Sequence, residues 1–368
     1  MSTKKDKFSL KDKFYMEIAL KLANSRQGLT GSNPSVGCVI VKNDKIISIG
    51  QTSYNGRPHA EFNAIKNCTD DLNGSKMYVT LEPCCHHGLT PPCTNIIIKS
   101  KISEVIYSVA DIDKRVRNKS QKILKSNNVK VKKGILKDII NNFYSNYFFN
   151  RKHKLPYVTG KIAISKNNLV YSKLNKRITN VQADKFTHLL RYKNDALMIS
   201  YKTLNKDNSR LNCRIKGFSN YSPKRIILDN KLQTKINSYI IKTANKDNTI
   251  IFYNQASKSK VLDFKKKKIQ LIKSKINKQG KFDFKTILKK LYKFNCRNLL
   301  IEGGDALTSH LLKNRIFNKF YLYKSPKNLS KETEYLKFNS LDVLKKNYKN
   351  KFNLNLFLGK DKITLYKN

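Results

Sequence analysis

The sequence contains no tryptophan, and nowhere do its apolar residues run together for the roughly 20 positions that a membrane-spanning helix needs. The second absence excludes a hydrophobic anchor of that kind. Segment 1–23 is polar, with charges every few residues, and lacks the unbroken apolar stretch of a secretion signal, so a cytoplasmic location is expected. Acidic residues are scarce: 25 Asp+Glu face 75 Lys+Arg, a formal net charge of +50. Such an excess invites a nucleic-acid partner. The lysines, however, are spread over the whole chain, as at Lys42, Lys99, Lys173, Lys285 and Lys349, instead of clustering on one segment with interleaved aromatics. Compositional drift toward Lys and Asn accounts for this pattern. Neither a nucleic acid nor a membrane is expected as partner, though the field would attract a phosphorylated small substrate. A homo-oligomer is expected.

The seven cysteines are too irregularly spaced for a secreted disulfide framework. Three of them, Cys84, Cys85 and Cys93, crowd one decapeptide with His86 and His87, which suggests a metal. A hydrophobic share of 39% is enough for packed cores, and 368 residues favour two of them.

Amphipathic spacing of Phe14, Ile18 and Leu22 predicts a helix over 12–24. Strands are expected at 36–41 and 46–49, joined as a hairpin through Asn43-Asp44, then at 76–81 and 104–110, with helices at 60–66 and 94–99. The basic, Pro-interrupted segment Asn150 to Pro156 marks a boundary, giving domains 1–150 and 151–368. Beyond it strands are expected at 157–164, 196–200, 225–228, 249–253 and 298–301, and helices at 181–192, 284–293 and 306–313. A hairpin of 352–358 and 363–366 closes the chain. No internal repeat is present, and Lys265 to Lys268 reads as a solvated loop. Both halves are α/β.

The chemistry-bearing signal is His59-Ala60-Glu61, followed by Leu81-Glu82-Pro83-Cys84-Cys85-His86-His87-Gly88-Leu89-Thr90-Pro91-Pro92-Cys93. One imidazole and two thiolates make a zinc site whose fourth position stays open for water. His59, Cys84 and Cys93 are the expected ligands of one catalytic Zn²⁺. A helix or tight turn starting after Pro83 would help to hold the Cys84 thiolate. Displacing an amine from a heteroaromatic ring needs hydroxide at neutral pH, and zinc brings the pKa of its water toward ~7. Glu61 would shuttle that proton to the ring nitrogen and then to the departing ammonia. The pairing of H-x-E with a Pro-Cys motif is an established deaminase signature. His87 is a rival ligand, and a closed structural knot of His59, Cys84, His87 and Cys93 is the competing arrangement.

With Asn33-Pro34-Ser35-Val36-Gly37-Cys38-Val39-Ile40-Val41 added to these motifs, the sequence closely resembles the bifunctional riboflavin-biosynthesis deaminase/reductase family. The long Cys-x8-Cys loop carrying Thr90-Pro91-Pro92-Cys93 is specific to it. The resemblance implies a cytidine-deaminase-like three-layer α/β/α domain followed by a dihydrofolate-reductase-like α/β domain. It implies that the first removes the amine of a phosphorylated pyrimidine ribosylamine, with Asn33 on the substrate ring and His86 near it. Leu89 stands where the family usually has Lys or Arg, and Thr52 where it usually has His. The second domain would use NADPH to open the ribosyl group to ribityl.

Its matching stretches include Leu190-Arg191, Ser209-Arg210-Leu211 and Ile301-Glu302-Gly303-Gly304. By position, Asn175, Arg191, Leu211, Arg214 and Glu302 would touch substrate, and Ala163, Thr203, Asp207, Asn230, Gly303, Gly304, Asp305, Ala306, Leu307 and Thr308 would touch NADP. Gly303-Gly304 lies between a buried strand and a helix, where backbone N–H groups can hold a pyrophosphate. Arg191 and Arg214 suit a phosphate. Ser165-Lys166-Asn167-Asn168 replaces the family's Ser-Leu-Asp-Gly, and Arg177 replaces its usual Trp. Two other readings compete: a deaminase of tRNA or another nucleotide, and an active deaminase carrying a reductase-like domain that no longer catalyses.

Overall fold

The computed structural model describes residues 7–175, 177–354 and 359–367, and the chain divides into two compact units, Met1–Lys154 and Leu155–Asn368. In chain order the first unit contains α1 (Leu10–Ser25), β1 (Gly37–Lys42), β2 (Lys45–Gln51), α2 (Ala60–Lys66), β3 (Lys76–Leu81), α3 (Cys93–Lys99), β4 (Glu104–Val109), α4 (Lys119–Ser126), β5 (Lys130–Lys133), α5 (Lys137–Phe143) and α6 (Ser145–His153). Helix α6 runs through the expected boundary at 150/151, so the units divide a few residues later, before Leu155.

Helix α1 starts on a capping box: the Ser9 hydroxyl accepts from the Asp12 amide at 3.0 Å and the Asp12 carboxylate accepts from the Ser9 amide at 2.9 Å. Asn43 and Asp44 both take positive φ (49° and 59°), the conformation a two-residue hairpin between β1 and β2 requires. The sheet order is β2-β1-β3-β4-β5, with β1 antiparallel to both neighbours and β3, β4 and β5 parallel. β1 is buried on both faces. A Cβ on Gly37 would lie 1.9 Å from the Ala19 carbonyl oxygen of α1, and a Cβ on Gly50, which pairs with Cys38, would lie 2.2 Å from the Ala60 carbonyl oxygen of α2. Successive strand residues face opposite ways, so α1 and α2 cover opposite faces of the sheet. That is the α/β/α layering. Gly50 also lets the first turn of α2, which carries Glu61, lie against the sheet.

The second unit contains β6 (Tyr157–Ile164), β7 (Leu169–Ser172), α7 (Val181–Tyr192), β8 (Ala196–Ser200), α8 (Tyr201–Asp207), β9 (Lys224–Leu228), α9 (Tyr239–Lys242), β10 (Thr249–Tyr253), α10 (Lys258–Lys266), β11 (Gln270–Lys273), α11 (Phe284–Lys293), β12 (Asn298–Ile301), α12 (Asp305–Lys313), β13 (Lys319–Lys324), β14 (Tyr335–Lys337), α13 (Leu341–Asn347), β15 (Asn350–Asn353) and β16 (Lys362–Lys367). Its nine-stranded sheet has the order β11-β10-β9-β8-β12-β6-β13-β16-β15, parallel as far as β13 and antiparallel beyond; β7 and β14 pair separately. The central strands are apolar on both sides. In β8, Ala196 and Met198 pack into one core and Leu197 and Ile199 into the other. The closing hairpin forms, but its first strand is Asn350–Asn353, and residues 355–358 of the expected strand lie outside the described residues.

Candidate functional site

In the first unit the site is built where the N-terminal ends of α2 and α3 meet. His59 is the N-cap of α2 and Glu61 sits in its first turn, buried at 3% exposure. Cys84 lies on the loop after β3. Its sulfur accepts a hydrogen bond from the backbone N–H of Cys93, the first residue of α3, at 3.3 Å. The helix that steadies the Cys84 sulfur therefore starts at Cys93 and not after Pro83, and it does so through a first-turn amide that has no partner within the helix.

His59 Nδ1 lies 3.5 Å from the Cys84 sulfur and 3.4 Å from that of Cys93, and the three donor atoms fall within 4.8 Å of one another. No other group of three or more His, Cys, Asp or Glu side chains among the described residues is so placed. His87 is outside the cluster, so the closed four-ligand knot does not form. Cys85 turns away, toward the Arg115 carbonyl at 3.5 Å. A hydrogen bond from the Cys93 thiol, with His59 and the Cys93 backbone amide assisting, brings the Cys84 thiol down to about 4. The same bond, with burial, pushes the Cys93 thiol up. Burial pushes Glu61 up to about 7, against the pull of His59.

The cavity over these groups is lined by Asn33 and His86 as well as Glu61. The Asn33 amide is oriented by donation to the Gly56 carbonyl at 3.0 Å. The Nδ1 atom of His86 is buried and has no partner among the described residues. Thr52 is buried with its hydroxyl accepting from the Val36 amide at 2.9 Å. Leu89, by contrast, is 89% exposed. Sequence reasoning missed Arg57, Tyr147 and Arg151, which also line this cavity. Arg57 could have been suspected from its place two residues before His59; nothing local marks the other two, which α6 brings in from distant sequence.

In the second unit the expected residues gather at the ends of β12 and α7. Arg191 and Glu302 form a two-pronged ion pair at 2.7 and 2.9 Å, with both side chains nearly buried, and Arg191 also donates to the Asn212 carbonyl at 3.1 Å. Burial alone would push the Glu302 carboxyl up, but the Arg191 charge and hydrogen bonds outweigh it and hold it below its ordinary value. Arg214 donates to the Asn212 side-chain oxygen at 3.2 Å, and Leu211 is buried with φ 50°. Lys161, on β6, adds a charge next to Glu302 that the motifs did not mark, and burial lowers its pKa. Asn175 stands apart, exposed, its side-chain oxygen accepting from the Ser330 amide at 2.8 Å.

Gly304 is the N-cap of α12. A Cβ there would come 3.3 Å from the Thr203 hydroxyl, and one on Gly303 would come 3.1 Å from that of Thr308. Asp305 is occupied by Ser309 and the Asn339 amide, Asp207 is exposed at the end of α8, Ala163 lies half-buried on β6, and the Asn230 side-chain oxygen is buried without a partner among the described residues. Ala306 and Leu307 complete the first turn of α12. The altered turn after β6 is closed: Ser165 donates to the Asn167 side-chain oxygen at 2.6 Å, Asn167 bonds both backbone groups of Leu329, and Asn168 takes φ 62° where the family has glycine. Asn tolerates that conformation better than most residues. Arg177 is on the surface, paired with Asp184.

These two sites define a zinc-type deaminase region joined to a reductase-like α/β unit. Residues 9–109 match the cytidine and deoxycytidylate deaminase zinc-binding region, and 163–349 match the RibD C-terminal domain. The chain is 33% identical over 321 residues to the riboflavin biosynthesis protein RibD of Actinobacillus pleuropneumoniae, covering 87% of this chain and 85% of that protein. To its counterpart from Aquifex aeolicus it is 31% identical over 318 residues, covering 86% and 87%. Among solved structures, RibD of Acinetobacter baumannii aligns with a TM-score of 0.82 at 25% identity, over 97% of this chain and 98% of that one. A diaminohydroxyphosphoribosylaminopyrimidine deaminase/5-amino-6-(5-phosphoribosylamino)uracil reductase from Thermotoga maritima aligns with a TM-score of 0.81 at 26% identity, over the same shares. The chain belongs to the riboflavin biosynthesis RibD family.

Proposed function

We propose that this chain carries out two successive steps of riboflavin biosynthesis: hydrolytic deamination of 2,5-diamino-6-ribosylamino-4(3H)-pyrimidinone 5′-phosphate in the first unit, then NADPH-dependent reduction of the ribosyl side chain to ribityl in the second. The observation that carries the reading is the convergence of His59, Cys84 and Cys93 beside a buried Glu61. One imidazole and two sulfurs, one already biased to the thiolate, fit Zn²⁺ with one position left open. Zinc held there would supply an acidified water at neutral pH. Glu61, pushed up to about 7, is matched to taking a proton and returning it, first to the ring nitrogen and then to the departing amine. Asn33 and His86 would orient the ring.

In the second unit Arg191 is committed to Glu302, which leaves Arg214 of the two arginines for the substrate phosphate, with Leu211 as a further substrate contact; Asn175, bonded to the Ser330 amide, would have to reach the substrate from outside this group. The N-terminus of α12, with no Cβ at Gly303 or Gly304, suits a pyrophosphate, and the Asn230 side-chain oxygen, without a partner among the described residues, suits a ribose hydroxyl. NADPH bound there would supply the hydride. Ala163, Thr203, Asp207 and the turn from Asp305 to Thr308 would supply the remaining contacts to NADP. The enzyme would be cytoplasmic and homo-oligomeric. Offering the pure protein the pyrimidine nucleotide and, separately, tRNA tests the first step: ammonia release from the nucleotide is expected, and release from tRNA alone would overturn the proposal.

A further inference from the structure

The deaminase pocket holds three arginines whose charges are unequally engaged. Arg115 is closed on Asp113 by bonds at 3.0 and 2.7 Å. Arg151 lies over the Tyr147 ring at 5.3 Å, under the influence of Asp113 and Asp111. Arg57 has no carboxylate at ion-pair distance among the described residues; one of its terminal nitrogens donates to the Thr90 hydroxyl.

That same nitrogen stands 3.5 Å from His59 Nε2. With Nδ1 turned to the two sulfurs, Nε2 is the nitrogen that carries hydrogen when His59 is a neutral ligand. A metal on Nδ1 would thus set two donors against one another where metal-bound imidazoles ordinarily meet a carboxylate or carbonyl. The other terminal nitrogen of Arg57 points to Gly88, where a Cβ would lie 3.6 Å from it and 3.9 Å from His86 Nε2. Guanidinium, hydroxyl and two imidazole groups thus approach one spot on the pocket wall. The side chain at 89, where the family carries a basic residue, points into solvent.

We infer that Arg57 is the phosphate-binding group of the deaminase pocket, oriented by Thr90, and that it takes over the task of the basic residue missing at Leu89. The inference rests on the proposed reading that the substrate is a 5′-phosphorylated pyrimidine ribosylamine. A guanidinium offers a phosphate two parallel, charge-assisted hydrogen bonds. It would act by holding substrate in ground and transition states alike, which shows in KM more than in kcat.

The test compares zinc-loaded, full-length wild type, R57M and R57K on the phosphorylated pyrimidine and on its dephosphorylated counterpart. R57M should raise KM for the phosphorylated compound about 10- to 100-fold with kcat changed much less, and should affect the dephosphorylated compound at least tenfold less. Equal effects on both compounds, or none on either, would overturn the inference and leave Arg57 as a clip for the 85–92 loop. Should R57M lose zinc, R57K decides: a several-fold rise in KM confined to the phosphorylated compound supports the assignment, and an identical change on both overturns it. Wild type inactive on both compounds would mean instead that the functional reading beneath it is wrong.

Discussion

At the residue scale, the first unit turns on Glu61. Its neighbours on the chain are Ala60 and Phe62, with His59 two residues before it, and burial raises its pKa toward neutrality, which suits the proton-carrying role proposed for it. Replacing it by Gln keeps shape and removes the titrating oxygen. E61Q should retain one equivalent of zinc by atomic absorption while kcat falls at least about 100-fold; full activity in that variant would refute the mechanism. In the second unit the corresponding residue is Glu302. Its pKa is lowered in the fold, so its contribution to stability is present above the unfolded value of about 4.3 and is lost as pH falls through the still lower folded value. Breaking a buried pair on one side costs about 3–5 kcal/mol. E302Q should therefore be less stable in urea at pH 7 by roughly that amount, and the gap to wild type should close as the solution is acidified below about pH 4.

At the scale of elements, the sites depend on how closely helices approach strands. Gly50 is the clearest case, since any side chain there must displace the first turn of α2. G50A should cost about 1–3 kcal/mol by overpacking and reduce zinc content, both measurable on the purified variant. Asn168 offers a milder case, a left-handed residue closing the turn after β6. N168A should destabilise by about 1–2 kcal/mol in urea unfolding, while N168G should be close to neutral. Long or strongly patterned elements were legible in the sequence: α7, β6, β8, β10, α11 and β12 fall where periodicity put them. Short lysine-rich pieces were not. β5 is Lys-Val-Lys-Lys and β11 is Gln-Leu-Ile-Lys, and each is a strand because a parallel neighbour supplies its hydrogen bonds. Propensity has little say in such edge strands. The cluster of His59, Cys84 and Cys93 was legible because chemistry restricts both residue type and spacing. Arg57 and Arg151 were not, since an arginine in a basic sequence carries no local mark until the fold points it into a cavity.

At the scale of the whole molecule, the large positive charge comes from lysines spread along the whole chain, and it leaves the apolar cores intact, one cluster in the first unit and two in the second. Its consequence is kinetic: capture of a phosphorylated substrate should slow as salt rises, with kcat/KM falling more steeply than for the dephosphorylated compound. The central claim is that both units of one chain act in succession. The most direct test supplies the zinc-loaded protein with the diaminopyrimidine ribosylamine phosphate and NADPH, and follows ammonia and absorbance at 340 nm together. The account predicts ammonia release first, then one NADPH oxidised for each ammonia formed. Ammonia release with no NADPH oxidation, or NADPH oxidation before any deamination, would contradict it.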